Sequence, residues 1–497
     1  MKAKQDMQTA PSKVQHFIGG SFCASENGAW IERENPATGE PLRLVARGGA
    51  SEVQRAICAA EKAATPWAAT SASERSRVLL RIADGIDAAL EALALAESED
   101  TGKPLSLARS LDIPRAAANF RFFATAILHE TGESYRTETP QHALNYVLRK
   151  PIGIVGCISP WNLPLYLFSW KIAPALAAGN VVIGKPSELA PMTASMLCEI
   201  ASRAGLPAGV LNVVHGLGRE AGHAIVSHSQ TKAISFTGGT ATGAAIATVA
   251  APAFKKLSLE LGGKNPTIIC ADADLTVAMP EIVRSAFLNQ GQICLCGSRI
   301  LVHQSRLAEF MAQFTAHVSG LRVGDPLESE SDLGSLVSNE HRAKVQALVQ
   351  SGIDDGAKIV MGGNAPIRLS SRVARGAFMH PTILLAPPQE SRCVQEEIFG
   401  PVVTVQSFDR HADAVRLANG TRYGLAATIW TRDLSRAHRM ASALDAGIVW
   451  VNCWLLRDLR TPFGGTKDSG VGREGGTEAL RFFTEQTNVC IATGAQL

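Results

Sequence analysis

The runs IGIVGCIS (152–159), NVVIGKP (180–186), VLNVVHG (210–216), KAISFTGG (232–239) and KLSLELGG (256–263) decide how this chain folds. Each is short, apolar and bounded by Gly or Pro, as a strand buried on both faces of a parallel sheet requires. The segments between them have helical periodicity. Strand–helix–strand units of this kind join parallel neighbours, so the rhythm predicts a doubly wound α/β sheet from about Gly153. It resumes after Pro266 and runs to about Trp450, which predicts a second α/β domain.

Nearer the N-terminus the pattern changes. HFIGGSF (16–22) and WIERENPATGEPLRLVA (30–46) alternate apolar and polar residues around turn signals and predict strands. Ser71 to Glu74 fits a capping box, and apolar residues then recur at helical spacing to about Glu99. A further helix is expected over Ser106–Leu128. The first 16 residues or so are expected to form a flexible tail.

The chain has 497 residues, of which 46% are hydrophobic and 19% charged, enough to bury a large core. A net charge of +3 is too small to argue for nucleic acid or an anionic membrane surface. The ten cysteines include no CxxC pair, and a chain this long needs no disulfide staples. His and Cys show no ligand spacing, so no metal site is expected. MKAKQDMQTAPSKVQ (1–15) has no apolar signal core and is poor in Arg. No apolar run approaches the roughly 18 residues that cross a bilayer. The expectation is a cytoplasmic protein with free thiols and no membrane partner.

Several motifs have both a chemical and a plain structural reading. VVIGKPSE (181–188) ends a strand with Lys185 and Glu188 three apart; they suit ribose hydroxyls, or form a solvated turn. SFTGGTATG (235–243) is a strand entering a Gly-rich turn and a helix, a geometry that offers N–H groups to phosphate. It is equally a tight connection, because Thr240 breaks the G-x-G-x-x-G pattern. Glu260 in LSLELGGKNP is a solvent-side residue or a general base lifted by partial burial. Asn162 in SPWNLPLY is a turn residue or an oxyanion donor. FLNQGQICLCGSR (287–299) holds Cys294 and Cys296 one residue apart, open to metal, disulfide or nucleophile readings. EEIFGPV (396–402) and TPFGGTKDSGVGREGG (461–476) look like loops.

In order, PWN, GKPSE, FTGG, LELGGKNP, GQIC, EEIFGP and PFGGTKDSGVGRE resemble the NAD(P)-dependent aldehyde dehydrogenase superfamily, over residues 17 to about 490. The resemblance implies an aldehyde dehydrogenase-like α/β fold with a Rossmann-type NAD-binding domain (1–138 and 151–261). It further implies a catalytic domain (262–477) and a small β oligomerisation flap (139–150 and 478–497). A homodimer or homotetramer follows, since an unpaired strand edge is a liability. Cys294 is implied as the nucleophile, forming a thiohemiacetal and then a thioester. A free thiol near pKa ~8.5 needs activation to attack an aldehyde at neutral pH. Asn162 is implied as oxyanion donor, Glu260 as the base that hydrolyses the thioester, and Glu474 as a proton relay. Family members that acylate coenzyme A tend to lack a carboxylate at the Glu260 position, so release of a free acid is implied. Ser159, Pro160, Trp161, Lys185, Ser187, Glu188, Phe236, Gly238, Gly239, Leu261, Glu397 and Phe399 are implied as cofactor contacts. Many members carry Ser where Gly239 stands. Glu188 repels a 2′-phosphate, which favours NAD over NADP.

LDIPRAAANFRFFA (111–124) and NCWLLRDLRTPFGG (452–465) are similar to the 2-aminomuconate and 2-hydroxymuconate 6-semialdehyde dehydrogenases within that family. Their substrates are carboxylated aldehydes from aromatic-ring or kynurenine-pathway catabolism. Arg115, Trp170 and Arg457 are the matching substrate-site residues, arginine being suited to bidentate carboxylate binding. Arg121 and Arg460 are expected to be structural. An aldehyde dehydrogenase for another amino or aliphatic aldehyde, and a non-catalytic binding protein on the same fold, are the alternatives.

Overall fold

The five apolar runs between residues 152 and 263 form parallel strands in the computed structural model, which describes residues 11–494 apart from 364 and 366. They are β1 (Ile154–Ile158), β2 (Val181–Lys185), β3 (Leu211–Val213), β4 (Thr231–Thr237) and β5 (Lys256–Glu260). Their order in the sheet is β5-β4-β1-β2-β3. The chain builds outward from β1 in one direction, then crosses back and builds in the other. The order therefore reverses between β1 and β4, where an open α/β sheet leaves a crevice at its carboxyl edge. The hairpin His16–Ile18 and Ser21–Cys23 extends the sheet beyond β3. Gly184 lies within β2, paired on both sides, where a Cβ would lie 2.5 Å from the Phe168 ring.

Helix α1 (Ile113–Ala126) packs on α2 (Pro164–Ala177), which opens with proline and is buried along its whole length. A π-helical turn, Ala108–Asp112, precedes α1. Helix α3 (Thr240–Ala250) follows β4. The capping box at Ser71 is present, Ser71 Oγ accepting from Glu74 N at 3.2 Å.

The second rhythm gives β6 (Pro266–Ile269), β7 (Arg299–His303), β8 (Thr382–Leu385), β9 (Val402–Phe408), β10 (Ala426–Trp430) and β11 (Ile448–Val451). They run parallel in the order β8-β9-β7-β6-β10-β11, with Lys358–Met361 antiparallel on the β8 edge. The chain passes from the carboxyl end of β5 to the amino end of β6 through Leu261–Asn265 alone. Whatever sits between the sheets thus meets carboxyl ends of one and amino ends of the other.

Three expectations change. Ser12–Val14 is not tail but a strand parallel to Arg43–Val45, and His16 is buried; residues 1–10 of the expected tail lie outside the described residues. TPFGGTKDSGVGREGG is not all loop: Gly470–Val471 pairs antiparallel with β5 and closes that edge of the first sheet. The three-stranded antiparallel sheet of Ser134–Thr137, Ala143–Pro151 and Thr484–Ala492 begins upstream of 139, and 495–497 lie outside the described residues. Among the described residues no helix is long and apolar enough to cross a membrane.

Each large sheet has its own apolar core. A third cluster joins Leu163, Tyr166, Ile293, Leu295, Trp450, Trp454 and Phe463, with Cys294 packed against it.

Candidate active site

At the reversal between β1 and β4 lies a cleft of about 670 Å³. Ser159, Pro160 and Trp161 enter it from the end of β1, Lys185, Ser187 and Glu188 from β2, and Phe236, Gly238 and Gly239 from β4. Lys185 Nζ donates to Glu188 Oε2 at 3.2 Å and to Pro186 O at 3.0 Å. Gly239 is the N-cap of α3, with open space where a Cβ would stand. Gly238 has no such room: a Cβ there would meet the Phe236 ring at 2.4 Å. The Ser159 and Thr237 hydroxyls are buried with no partner among the described residues, which leaves polar atoms for a ligand.

Leu261, Glu397 and Phe399 do not line this cleft. Leu261 lies under α3, in the space a Cβ at Gly243 would take. Glu397 accepts from Gly263 N at 2.9 Å, and burial pushes its carboxyl up to about 7. Phe399 meets Trp161 edge-on, ring centroids 5.4 Å apart, so Trp161 joins the cleft to the Glu397 loop. Arg219 and His223 also line the cleft and were not expected. They follow β3 in a π-helical turn, Gly218–Gly222, and at the start of the short helix His223–Ser227, where the glycines at 216, 218 and 222 are the sequence signal.

The cysteine loop is wound left-handed at Asn289 (φ 53°), Gln290 (φ 56°) and Gly291 (φ 70°). Non-glycine residues in this region cost roughly 1–3 kcal/mol each and persist only where neighbours hold them. Here Asn289 Nδ2 donates to Asn162 O (3.1 Å) and Gln290 Nε2 to Ser335 O (2.8 Å). At 291 a Cβ would strike Gly400 O at 2.0 Å, so glycine is required. Buried Asn162 donates through Nδ2 to Gln292 O at 2.9 Å, tying the β1–α2 loop to the cysteine loop. Asn265 Nδ2 holds the carbonyls of Cys294 (2.7 Å) and Cys296 (2.9 Å).

Cys294 is half-buried, and burial raises its thiol well above the ordinary range. Cys296 is buried, its thiol pushed up to about 12. Neither forms a disulfide.

Glu260 ends β5 fully buried, with neither carboxylate oxygen bonded among the described residues. Burial first, then the nearby Glu474 charge, hold its carboxyl well above the usual range. A Cβ at Gly464 would sit 2.8 Å from Glu260 Oε1, so glycine leaves the room the carboxylate uses. Glu474 Oε1 accepts from Lys171 Nζ at 2.7 Å and Ser235 Oγ at 3.0 Å, while Oε2 has no partner among the described residues.

Arg115 on α1 and Arg457 both lie against Trp170, their guanidinium carbons 5.8 and 5.4 Å from its ring centroid. Arg115 also covers the Tyr166 ring at 5.3 Å, and Arg457 the Phe463 ring at 4.0 Å. Arg457 Nη1 donates to the Tyr166 hydroxyl at 3.1 Å. Among the described residues neither arginine has a carboxylate partner, and Arg115 Nη2 is buried unbonded. Arg121 and Arg460, by contrast, pair with Asp84, Asp87 and Asp458. Arg457's charge reaches both Glu260 and Cys294. Tyr166 and Phe463 were not foreseen; their role comes from the cations they stack with, which sequence spacing does not show.

The description "Aldehyde dehydrogenase family" belongs to the model that matches residues 22–489. The chain is 48% identical to the 2-aminomuconic semialdehyde dehydrogenase of Danio rerio over 479 residues, 96% of this chain and 98% of the relative. It is 47% identical to the 2-hydroxymuconic semialdehyde dehydrogenase of Pseudomonas sp. (strain CF600) over 483 residues, 96% and 99% of the two chains. Among solved structures, PnpE in complex with nicotinamide adenine dinucleotide superposes with a TM-score of 0.94 at 40% identity, covering 97% of this chain and 98% of that one.

Proposed function

The chain belongs to the aldehyde dehydrogenase family, and we propose that with NAD it oxidises a semialdehyde with a distal carboxylate, of the 2-aminomuconate or 2-hydroxymuconate 6-semialdehyde class, to the dicarboxylate. One observation carries the substrate reading. Arg115 and Arg457 share an aromatic box beside the Cys294 cluster, with no carboxylate paired to either among the described residues. Two unpaired, half-buried cations are costly, and a carboxylate bound by guanidinium forks removes that cost.

Cys294 is the nucleophile. Its thiol is a weak acid in this setting, so Glu260 takes its proton as the sulfur bonds to the aldehyde carbon. Charge then develops on the former carbonyl oxygen. One N–H of the Asn162 amide is committed to Gln292 O; the other is free to donate, with the Cys294 backbone N–H. NAD, bound in the cleft, supplies the acceptor for the aldehyde hydrogen. Its residues fit that role: the N-terminus of α3 and the unbonded hydroxyls of Ser159 and Thr237 suit phosphate, and Lys185 with Glu188 suits ribose. A thioester remains on Cys294. Glu260 first passes the thiol proton to the open Oε2 of Glu474, whose Oε1 Lys171 holds, and then takes a proton from the water that adds to the thioester carbonyl; the C–S bond breaks, the acid leaves and the sulfur regains a proton.

The enzyme acts in the cytoplasm as a homodimer or homotetramer. All ten cysteines are free, as in a reducing compartment, and the three-stranded sheet exposes Leu144, Leu148 and Ile491 for a second copy to cover.

The test compares a semialdehyde bearing a distal carboxylate with an uncharged aldehyde of the same length. In Arg457→Ala the preference for the carboxylated substrate, as a ratio of kcat/KM, is expected to fall about tenfold or more. An unchanged ratio removes Arg457 from the site.

A further inference from the structure

From the contacts around Arg115 we infer that Asn119 is a specificity-determining positioning residue: it orients Arg115 through a neutral oxygen, so the guanidinium keeps its charge for the substrate carboxylate. The inference rests on reading Arg115 as a carboxylate ligand.

Asn119 lies one turn beyond Arg115 on α1 and is fully buried. Its Oδ1 accepts from Arg115 Nε at 3.2 Å. Its Nδ2 donates to Tyr166 O at 3.1 Å and Ser169 Oγ at 3.0 Å. A backbone carbonyl only accepts, so the amide has a single orientation that satisfies Tyr166, and it turns Oδ1 toward the arginine. Tyr166 is also the residue whose ring stacks with Arg115 and whose hydroxyl meets Arg457. Asn119 therefore locks the helix carrying Arg115 to the helix carrying the aromatic box.

The amide is informative because of what it replaces. Aspartate has the same size and, four residues from an arginine on a helix, would form a favourable ion pair. That pair would cancel the charge that Arg115 presents. The nearest acid in sequence is Asp112, at the end of the π turn. It bonds Lys103 Nζ, which holds Glu97 Oε1 at 3.1 Å, all three side chains fully buried. Arg115 thus has a neutral amide oxygen as its helix partner, and its Nη2 has no partner among the described residues.

The test uses the full-length enzyme with Asn119→Asp and the same two substrates. The kcat/KM preference for the carboxylated semialdehyde is expected to fall about tenfold or more, mainly through KM, while the neutral aldehyde changes less than about twofold. Asn119→Ser removes the Oδ1 acceptor of Arg115 together with the Nδ2 bonds but adds no charge; it is expected to lose about threefold of the preference through lost orientation alone, and no loss at all overturns the inference. Equal losses on both substrates, or an equal loss of preference in the Ser and Asp variants, overturn the inference. Should Asn119→Asp fail to bind NAD by fluorescence titration, Asn119→Ser alone decides, and an unchanged preference in it overturns the inference. Arg115→Leu separates the two levels. If it loses the preference while Asn119→Asp keeps it, only this inference falls; if both keep it, the reading of Arg115 falls first.

Discussion

Glu260 shows how far one residue's chemistry depends on its surroundings. In sequence it is a carboxylate at a strand end, open to solvent or to catalysis. In the structure both oxygens are buried with no partner among the described residues, and burial with the Glu474 charge raises its pKa. A raised pKa means the group is protonated, and useless as a base, over a wider range of pH. The rate should therefore rise with pH through the folded-state pKa, with an acid limb well above the ordinary carboxylate range. Glu260→Gln should remove that limb and slow turnover about 10²–10⁴-fold. The same acid limb in the Gln variant would assign the titration to another group. The two cysteines separate on the same grounds. Cys296 is sealed into the apolar cluster, while Cys294 keeps partial exposure.

At the scale of elements, the strand and helix rhythm was legible from residue 152 onward because it repeats locally. The exceptions are places where a distant partner sets the backbone. Gly470–Val471 is a strand only because β5 has an open edge to pair with. Asn289 and Gln290 are left-handed only because Asn162 and Ser335 hold their amides. The start of α3 makes a prediction at this scale. Gly239 has extended backbone (φ −70°, ψ 146°) and empty space at Cβ, so Gly239→Ser introduces no strain. The hydroxyl caps the helix and adds a phosphate donor. The variant should gain a few tenths of a kcal/mol in thermal unfolding and bind NAD more tightly by fluorescence titration. Weaker NAD binding would argue that the pyrophosphate does not lie at this helix end.

For the whole molecule, the two sheets share a winding plan but differ in what their carboxyl edges hold. The crevice of the first sheet is open, and unbonded hydroxyls line it. The corresponding place in the second, beyond β6 and β10, is filled: Asp272 accepts from Thr431 Oγ1 (2.9 Å), Arg432 N (3.1 Å) and Arg436 Nη1 (2.6 Å). The three-stranded sheet makes the remaining prediction. Leu144, Leu148 and Ile491 lie on one face, Leu144 opposite Ile491, and all three are exposed. If this face carries the proposed homo-oligomer, the double variant Leu148→Lys/Ile491→Lys should lower the particle mass toward monomer in light scattering. Unchanged mass would place the interface elsewhere.

The doubly wound class, the order of the motifs and the identity of Cys294, Glu260 and Asn162 as candidates were all readable from the chain. Periodicity is a property of neighbours in sequence, and the motifs stand in a fixed order along it. Folding added which charges stay unpaired. Arg115, Arg457 and Arg460 read alike as letters, yet Arg460 meets Asp458 while, among the described residues, the first two meet rings, an amide and a hydroxyl and no carboxylate. Electrostatic compensation depends on distance through space, and no spacing along the chain records it.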